Sequence, residues 1–120
     1  MEKIFAMRKQ YTNASALAVL KNGTDNEKAE LAIALGFDCP DYGFAQSICI
    51  QLLQMENEIT RGNAIIALAH IARRFRKLDK RAVKPYLLRE LKENRQYKDL
   101  IEEAICEINM YLDWDIASLH

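Results

Sequence analysis

Hydrophobic residues recur at helical spacing along most of this chain. In EITRGNAIIALAHIARRF, residues 58–75, five of them fall on one side of a helix that advances about 100° per residue: Ala64, Ala67, Leu68, Ile71 and Phe75. In KDLIEEAICEINMYL, residues 98–112, the same pattern is made by Ile101, Ala104, Ile105, Ile108 and Leu112. Sustained polar/apolar alternation, which is typical of strands, is almost absent. The pattern therefore predicts an all-α protein.

These apolar helices repeat in a constant register. The pair Ala67-Leu68 superposes on Ala104-Ile105 after a shift of 37 residues (104 − 67 = 37) and on Ala34-Leu35 after a shift of 33 (67 − 34 = 33). Another apolar helix precedes each of the three, so the sequence predicts three helix hairpins in a single domain over residues 1–120. The hairpins are expected at roughly 14–37, 41–77 and 80–113.

Hairpins with a shared register favour one architecture. A single hairpin cannot cover its own apolar face, so such units stack into a short α-solenoid, for which about three repeats are the minimum. The alternative is an irregular six-helix bundle in which the shared register is a coincidence. Gly23, between the first two helices, is a candidate left-handed helix cap.

Composition and charge narrow the classes of protein. The chain has 120 residues, is 50% hydrophobic and contains four Gly and two Pro, as expected for one packed domain. Lys plus Arg and Asp plus Glu number 17 each, so the net charge is zero. A protein that binds nucleic acid usually shows a basic excess. None is present in this sequence.

The sequence offers no sign of export or of membrane insertion. The apolar run Ile4–Met7 is too short for a signal peptide. The longest uncharged stretch, Tyr42–Met55, has 14 residues, whereas a bilayer needs about 20. Three cysteines, Cys39, Cys49 and Cys106, do not form a regular disulfide framework. A soluble, cytoplasmic protein is expected.

The second helix of each predicted hairpin is rich in alanine, which lets neighbouring helices approach closely and leaves the opposite face free. On the middle helix that face carries Ile66, His70, Arg73 and Lys77, and on the last helix it carries Glu103, Glu107 and Met110. Ile33 and Phe37 lie on the other flank. The three faces together predict a strip of the kind that solenoids use as a binding surface. Alternatively, these residues are ordinary solvated side chains.

Charge also segregates along the chain. Residues 73–84 contain seven cations and one acid, whereas residues 99–115 contain six acids, including Asp113 and Asp115, and no cation. The basic run could hold phosphates, but beyond Phe75 it lacks stacking aromatics, and the acidic helix would repel a polyanion. Nucleic acid is therefore not expected as a partner, and the acidic run suits a basic protein. Simple solvation of the helix is the alternative explanation.

Catalytic chemistry has little support in the sequence. His70 and His120 are the only histidines, and no Cys/His spacing matches a zinc site. No glycine-rich loop could cradle a phosphate. Cys49 and Cys106 lie among apolar neighbours, where a thiol is usually an inert core residue. The chain is therefore expected not to be an enzyme and to need neither a cofactor nor a metal.

Several of these features resemble a known family. A cation near the start of the second helix (Arg61, Lys98), the Ala-Leu register and the Lys84-Pro85 pair in a first helix look like HEAT repeats over about residues 14–113. More narrowly, TRGNAIIALAHIARRFRKLD followed by KPYLLREL resembles small bacterial single-domain HEAT proteins. Some of these are similar to immunity proteins of contact-dependent inhibition and other polymorphic toxin systems.

The resemblance implies a function. Immunity proteins are small and cytosolic, and they bind and block the C-terminal domain of a cognate toxin, often a nuclease. Arg61, near a helix start, is expected to be structural. The free face and the acidic run supply the expected partner-binding residues, which are Ile66, His70, Arg73, Lys77, Glu103, Glu107, Met110, Asp113 and Asp115. The alternatives are a generic HEAT-repeat adaptor or chaperone and, third, a nucleic-acid-binding protein on the same architecture.

Overall fold

The computed structural model describes residues 9–120. This part of the chain contains six α-helices and one short 3-10 turn, and no strand. The helices are α1 (Asn13–Asn22), α2 (Asp25–Asp38), α3 (Tyr42–Leu52), α4 (Glu58–Phe75), α5 (Lys80–Glu93) and α6 (Lys98–Leu112), and the turn spans Ile116–Ser118. The prediction of an all-α fold is confirmed.

Most helix starts are fixed by a side chain that caps the first turn. Thr12, Thr24, Asp41, Asn57 and Asp79 each accept a hydrogen bond from the backbone N–H three residues ahead. Such caps satisfy donors that have no partner inside the helix. At Thr24 the Glu27 carboxylate accepts a hydrogen bond from the Thr24 N–H in return, at 2.8 Å, which completes a capping box.

The prediction that Gly23 is a left-handed cap is wrong. Gly23 is extended, with φ −71° and ψ 161°, because the chain passes directly into the Thr24 cap of the next helix. The left-handed helix ends are instead Arg76 after α4 and Asp113 after α6.

The helices are arranged in two layers. In one layer α4 lies between α2 and α6 and packs along both. In the other, α3 contacts α1 and α5, and α4 also packs against α3 and α5. Each second helix of a hairpin is thus in the same layer as the other second helices. This arrangement is consistent with the three predicted hairpins and leaves one side of α2, α4 and α6 open.

The repeated Ala-Leu register belongs to the core of the protein. The three alanines and three larger residues of that register are all buried: Ala34, Leu35, Ala67, Leu68, Ala104 and Ile105. Buried Leu31, Ile48, Leu52 and Ile71 complete the middle of the same core. Small residues bring α2 and α4 close together, since a Cβ atom added at Gly36 would lie 2.9 Å from the Cα of Ala67.

Substitution of Gly36 by Ala is expected to lower the free energy of unfolding by about 2 kcal/mol, although alanine has the higher helix propensity. The new methyl group meets backbone atoms of Ala67, which cannot move away without separating α2 from α4. The measurement is urea unfolding followed by circular dichroism.

The matched control is Gly43→Ala on α3. A Cβ atom there would touch only the Asp41 carboxylate, at 3.6 Å, and Gly43 is exposed. This variant should be as stable as the parent chain or more stable by about 0.5 kcal/mol. Equal stability of the Gly36 and Gly43 variants would contradict the close approach of α2 to α4.

Polar side chains join one hairpin to the next. The buried Glu90 carboxylate accepts hydrogen bonds from Arg61, Arg89 and Asn94, and Arg61 also donates to the Met55 carbonyl at 3.1 Å. At the other end of α4, Arg74 donates to the carbonyls of Gly36 and Cys39 at 2.9 and 2.6 Å. The second hairpin is therefore joined to the third near the start of α4 and to the first near the end of α4.

Candidate protein-binding surface

The open side of α2, α4 and α6 carries partly or largely exposed residues, which together we call the outer strip. The outer strip consists of Ile33, Phe37, Ile66, His70, Arg73, Glu103, Glu107 and Met110. The members on each helix are three or four residues apart, and this spacing keeps them on one side of that helix. Met110, at one end, is 66% exposed, which is high for an apolar side chain.

Contacts between helices make the outer strip continuous. The rings of Phe37 on α2 and His70 on α4 have centroids 3.9 Å apart and are tilted by 34°. On α4, an Arg73 guanidinium nitrogen lies 3.3 Å from Nδ1 of His70. Because arginine can only donate, this hydrogen bond needs an unprotonated Nδ1. Side chains of α2 and α4 thus form one surface.

Electrostatic interactions extend this surface to α6. The pKa of Glu107 is raised, first by burial and then by the nearby carboxylate of Glu103, while the Arg73 charge acts in the opposite direction. Arg73 of α4 is therefore close enough to act on Glu107 across the helix contact. The structure thus brings His70, Arg73, Glu103 and Glu107 together on one side of the molecule.

Lys77 lies elsewhere than the sequence predicted. The periodicity placed it on the free face of the middle helix, but α4 ends at Phe75 and Arg76 turns the chain in a left-handed conformation with φ 55°. The Lys77 ammonium then lies 4.5 Å from the ring centroid of Tyr42 on α3. The placement of Lys77 beside His70 and Arg73 is therefore wrong.

Asp113 and Asp115 lie beyond the regular part of α6. Asp113 is the left-handed residue that ends the helix, with φ 57°. Asp115 lies beside His120, whose Nε2 is 2.8 Å from the carboxylate, and both side chains are largely exposed. The two aspartates thus extend the acidic surface past the end of α6, near Met110.

The basic run of residues 73–84 does not form one patch. Arg74 binds backbone carbonyls at the end of α2. The Arg76 guanidinium stacks over Tyr111 at 4.9 Å, and the Lys80 ammonium lies 5.3 Å from the ring centroid of Trp114. Arg74, Arg76 and Lys80 are thus directed to different parts of the molecule, where they contact its own carbonyls and aromatic rings. A continuous phosphate-binding surface does not follow from their closeness in sequence.

A pocket at the end of α6, which the sequence did not predict, has a volume of about 390 Å³. We call it the C-terminal pocket, and its lining residues are Cys106, Glu107, Asn109, Met110, Asp113, Trp114 and His120. Cys106 was expected in the core but is only partly buried. Trp114 packs against the core and also forms part of the wall.

Asn109 is responsible for the shape of the C-terminal pocket. This buried side chain donates from Nδ2 to the carbonyls of Ile116 and Leu119, and its Oδ1 accepts a hydrogen bond from the Ile116 N–H at 2.9 Å. An amide with three backbone partners holds the C-terminal segment against α6. In the sequence, an asparagine on an otherwise apolar side of the helix was the one sign that backbone groups pack against that side.

Reactive groups are scarce in the part of the chain that the structure describes. Burial raises the pKa of the Cys49 thiol to about 12, so the thiolate needed for nucleophilic attack hardly forms at neutral pH. No three side chains among His, Cys, Asp and Glu of residues 9–120 are placed to hold a metal ion. Over the same residues, no helix has the length and apolar character needed to cross a membrane.

Comparison of the chain with known protein families, with curated proteins and with solved structures gave no match.

Proposed function

We propose that this chain is a short α-solenoid of three HEAT-like hairpins, and that its outer strip binds another protein. The observation that carries the proposal is the continuity of the strip: Phe37, His70, Arg73 and Glu107 form successive contacts or charge interactions across α2, α4 and α6. Extended surfaces made by parallel elements are the usual binding sites of solenoids.

The partner that we propose is the C-terminal domain of a bacterial toxin, which the chain neutralises in the cytoplasm as an immunity protein. The support is the resemblance of residues 60–79 and 84–91 to small HEAT proteins of this kind, together with the acidic end of the outer strip. A toxin that acts on nucleic acid needs a basic substrate surface. Acids at 103, 107, 113 and 115 are suited to cover such a surface.

In this function the chain carries out no reaction. An inhibitor that occludes the active site of its target needs shape and charge complementarity and neither a cofactor nor a metal. A tight complex of this kind buries on the order of 1,600 Å² in total, and a few central residues account for most of its free energy. Ile66 and His70 lie on α4, the middle helix of the outer strip, and we assign the main contacts to them and to Glu107 on the neighbouring helix α6.

The test is to look for a gene for a large secreted protein directly upstream of this chain's gene and to co-express the C-terminal domain of its product with this chain. The parent chain should restore growth to cells that make the toxic domain. The double variant Glu103→Lys with Glu107→Lys should protect at least about tenfold fewer cells, because it reverses the charge that the basic partner meets.

The control for charge reversal is Glu56→Lys with Glu93→Lys. Both glutamates are exposed and lie outside the outer strip, so this variant should protect as well as the parent chain. Equal protection by the two double variants would remove the acidic end of the strip from the interface. An upstream gene that encodes no toxic domain would favour the adaptor or chaperone alternative.

A further inference from the structure

The C-terminal pocket combines an apolar wall with carboxylates. Met110 and Trp114 supply the apolar surface, and Glu107 and Asp113 supply two acids at the end of α6. The pocket keeps its form because Asn109 fixes the C-terminal segment through three backbone hydrogen bonds. It opens beside the exposed side chain of Met110 and adjoins the outer strip through Glu107 and Met110.

This lining selects among the side chains that could enter. A purely apolar side chain would remove water from Glu107 without replacing its hydrogen bonds, which is unfavourable for a carboxylate. An acidic side chain would be repelled by Glu107 and Asp113. A long side chain with an apolar stem and a cationic head can place the stem against Met110 and Trp114 and the head beside the acids.

The positive charges around the pocket do not fully compensate its carboxylates, so a further cation would be attracted. Glu107 keeps a raised pKa although Arg73 acts on it, so its burial and the neighbouring Glu103 outweigh that one positive charge. His120, which also lines the pocket, is already paired with Asp115 at 2.8 Å. The Trp114 ring accepts the Lys80 ammonium at 5.3 Å, and this contact shows that the indole can take part in cation–π interactions here.

Arginine fits these features better than lysine. Its planar guanidinium stacks on aromatic rings and binds a carboxylate through two parallel hydrogen bonds, and it is more weakly hydrated than an ammonium. We infer that the C-terminal pocket receives an arginine side chain of the partner protein, with its stem against Met110 and Trp114 and its guanidinium on Glu107 and Asp113. This inference rests on the proposed function, because it assigns an anchor residue to that partner.

Binding in the pocket can be followed through Trp114, which lines the pocket and is the chain's single tryptophan. The full chain is titrated with the blocked tripeptide acetyl-Ala-Arg-Ala-amide while tryptophan emission and the indole N–H resonance are recorded. A saturable change is expected, with a Kd on the order of 1 mM. The same peptide with norleucine or glutamate in place of arginine should give no saturable change.

Variants of the two acids test the assignment to this pocket. Glu107→Gln and Asp113→Asn should each weaken binding of the arginine peptide roughly tenfold, because each removes a charge-assisted hydrogen bond. Asparagine tolerates the left-handed conformation of position 113, so the backbone is kept. The control pair, Asp99→Asn and Glu102→Gln, changes charge on the same helix outside the pocket and should leave the affinity unchanged.

Failure of this inference can be told apart from failure of the proposed function, because the titration contains no toxin domain. No saturable change with the arginine peptide, an equal change with norleucine, or unaltered binding by the Glu107 and Asp113 variants would overturn the pocket assignment. If growth protection persists under any of those results, the proposed function stands without it. If the chain binds the arginine peptide but does not protect growth, the pocket assignment stands and the proposed function fails.

Discussion

Replacement of Glu90 by Gln is expected to lower the free energy of unfolding by about 3 kcal/mol. Glu90 is fully buried, and its carboxylate lies 3.0 Å from Nε of Arg61 and 2.8 Å from a guanidinium nitrogen of Arg89. Without the carboxylate, the Arg61 guanidinium, whose side chain is only 15% exposed, keeps its charge in a poorly hydrated place. Urea unfolding of the two chains measures the difference.

The effect should be large because this network connects the hairpins. Arg61 belongs to α4 and Glu90 to α5, and Asn94 joins them by donating to Glu90 and to the Glu58 carbonyl at 3.0 and 2.8 Å. Glutamine keeps one acceptor oxygen and replaces the other with an NH2 donor, so donors that shared the two carboxylate oxygens compete for one, and each buried donor left unpaired costs about 1–3 kcal/mol.

The exposed neighbour Glu93 provides the matched control for Glu90. Glu93→Gln removes the same charge from the same helix and should change stability by less than about 0.5 kcal/mol. A Glu90→Gln variant that loses no more than the Glu93→Gln variant would show that the buried ion pairs do not hold α5 against α4.

Substitution of Ile66 by Arg is expected to weaken the complex with the toxin domain at least about a hundredfold. Ile66 lies near the middle of the outer strip, four residues before His70, and its side chain is partly exposed. An arginine there removes apolar contact area and places a further positive charge opposite a basic partner, and both changes act against association. Isothermal calorimetry with a catalytically inactive toxin domain measures the affinity.

The matched control for this variant is Leu88→Arg on α5. Leu88 is 41% exposed and lies on a first helix of a hairpin, away from the layer that carries the outer strip. The substitution adds the same side chain to a surface outside the proposed interface. Its affinity for the toxin domain should remain within about twofold to threefold of the parent chain, since surface changes away from contacts are usually neutral.

The second helices of the hairpins could be predicted from sequence because their packing is periodic. Ala67-Leu68 and Ala104-Ile105 recur in the same register, and in the structure both pairs are buried where α4 meets its neighbours. This periodicity depends only on the number of residues per helical turn, so it is visible in the sequence itself. The outer strip followed from it as the side that this register leaves open.

The predictions that failed concern backbone conformations at helix ends, which the hydrophobic periodicity does not reveal. Lys77 leaves the face of α4 because Arg76 adopts a left-handed conformation, which is costly for a residue other than glycine. The stacking of Arg76 over Tyr111 at 4.9 Å helps to stabilise that conformation, and it joins residues far apart in the chain. Gly23, the residue expected to be left-handed, is extended instead.

The C-terminal pocket could not be predicted for a similar reason. It exists only because the segment after α6 folds back onto Asn109, and Trp114 and His120 line it from outside the helical repeat. The partners of Glu90 could not be predicted from the sequence either, since Arg61 lies 29 residues earlier in the chain. Such contacts are set by tertiary structure and leave little trace in local sequence.

The most direct test of the proposed binding surface is the ratio of the Kd values of the Ile66→Arg and Leu88→Arg variants for the toxin domain, with both variants shown to be folded. If α2, α4 and α6 form one binding surface, the Kd of the Ile66→Arg variant should be at least about thirty times the Kd of the Leu88→Arg variant. A ratio near one, or a larger loss for Leu88→Arg, would contradict the outer strip as the binding site.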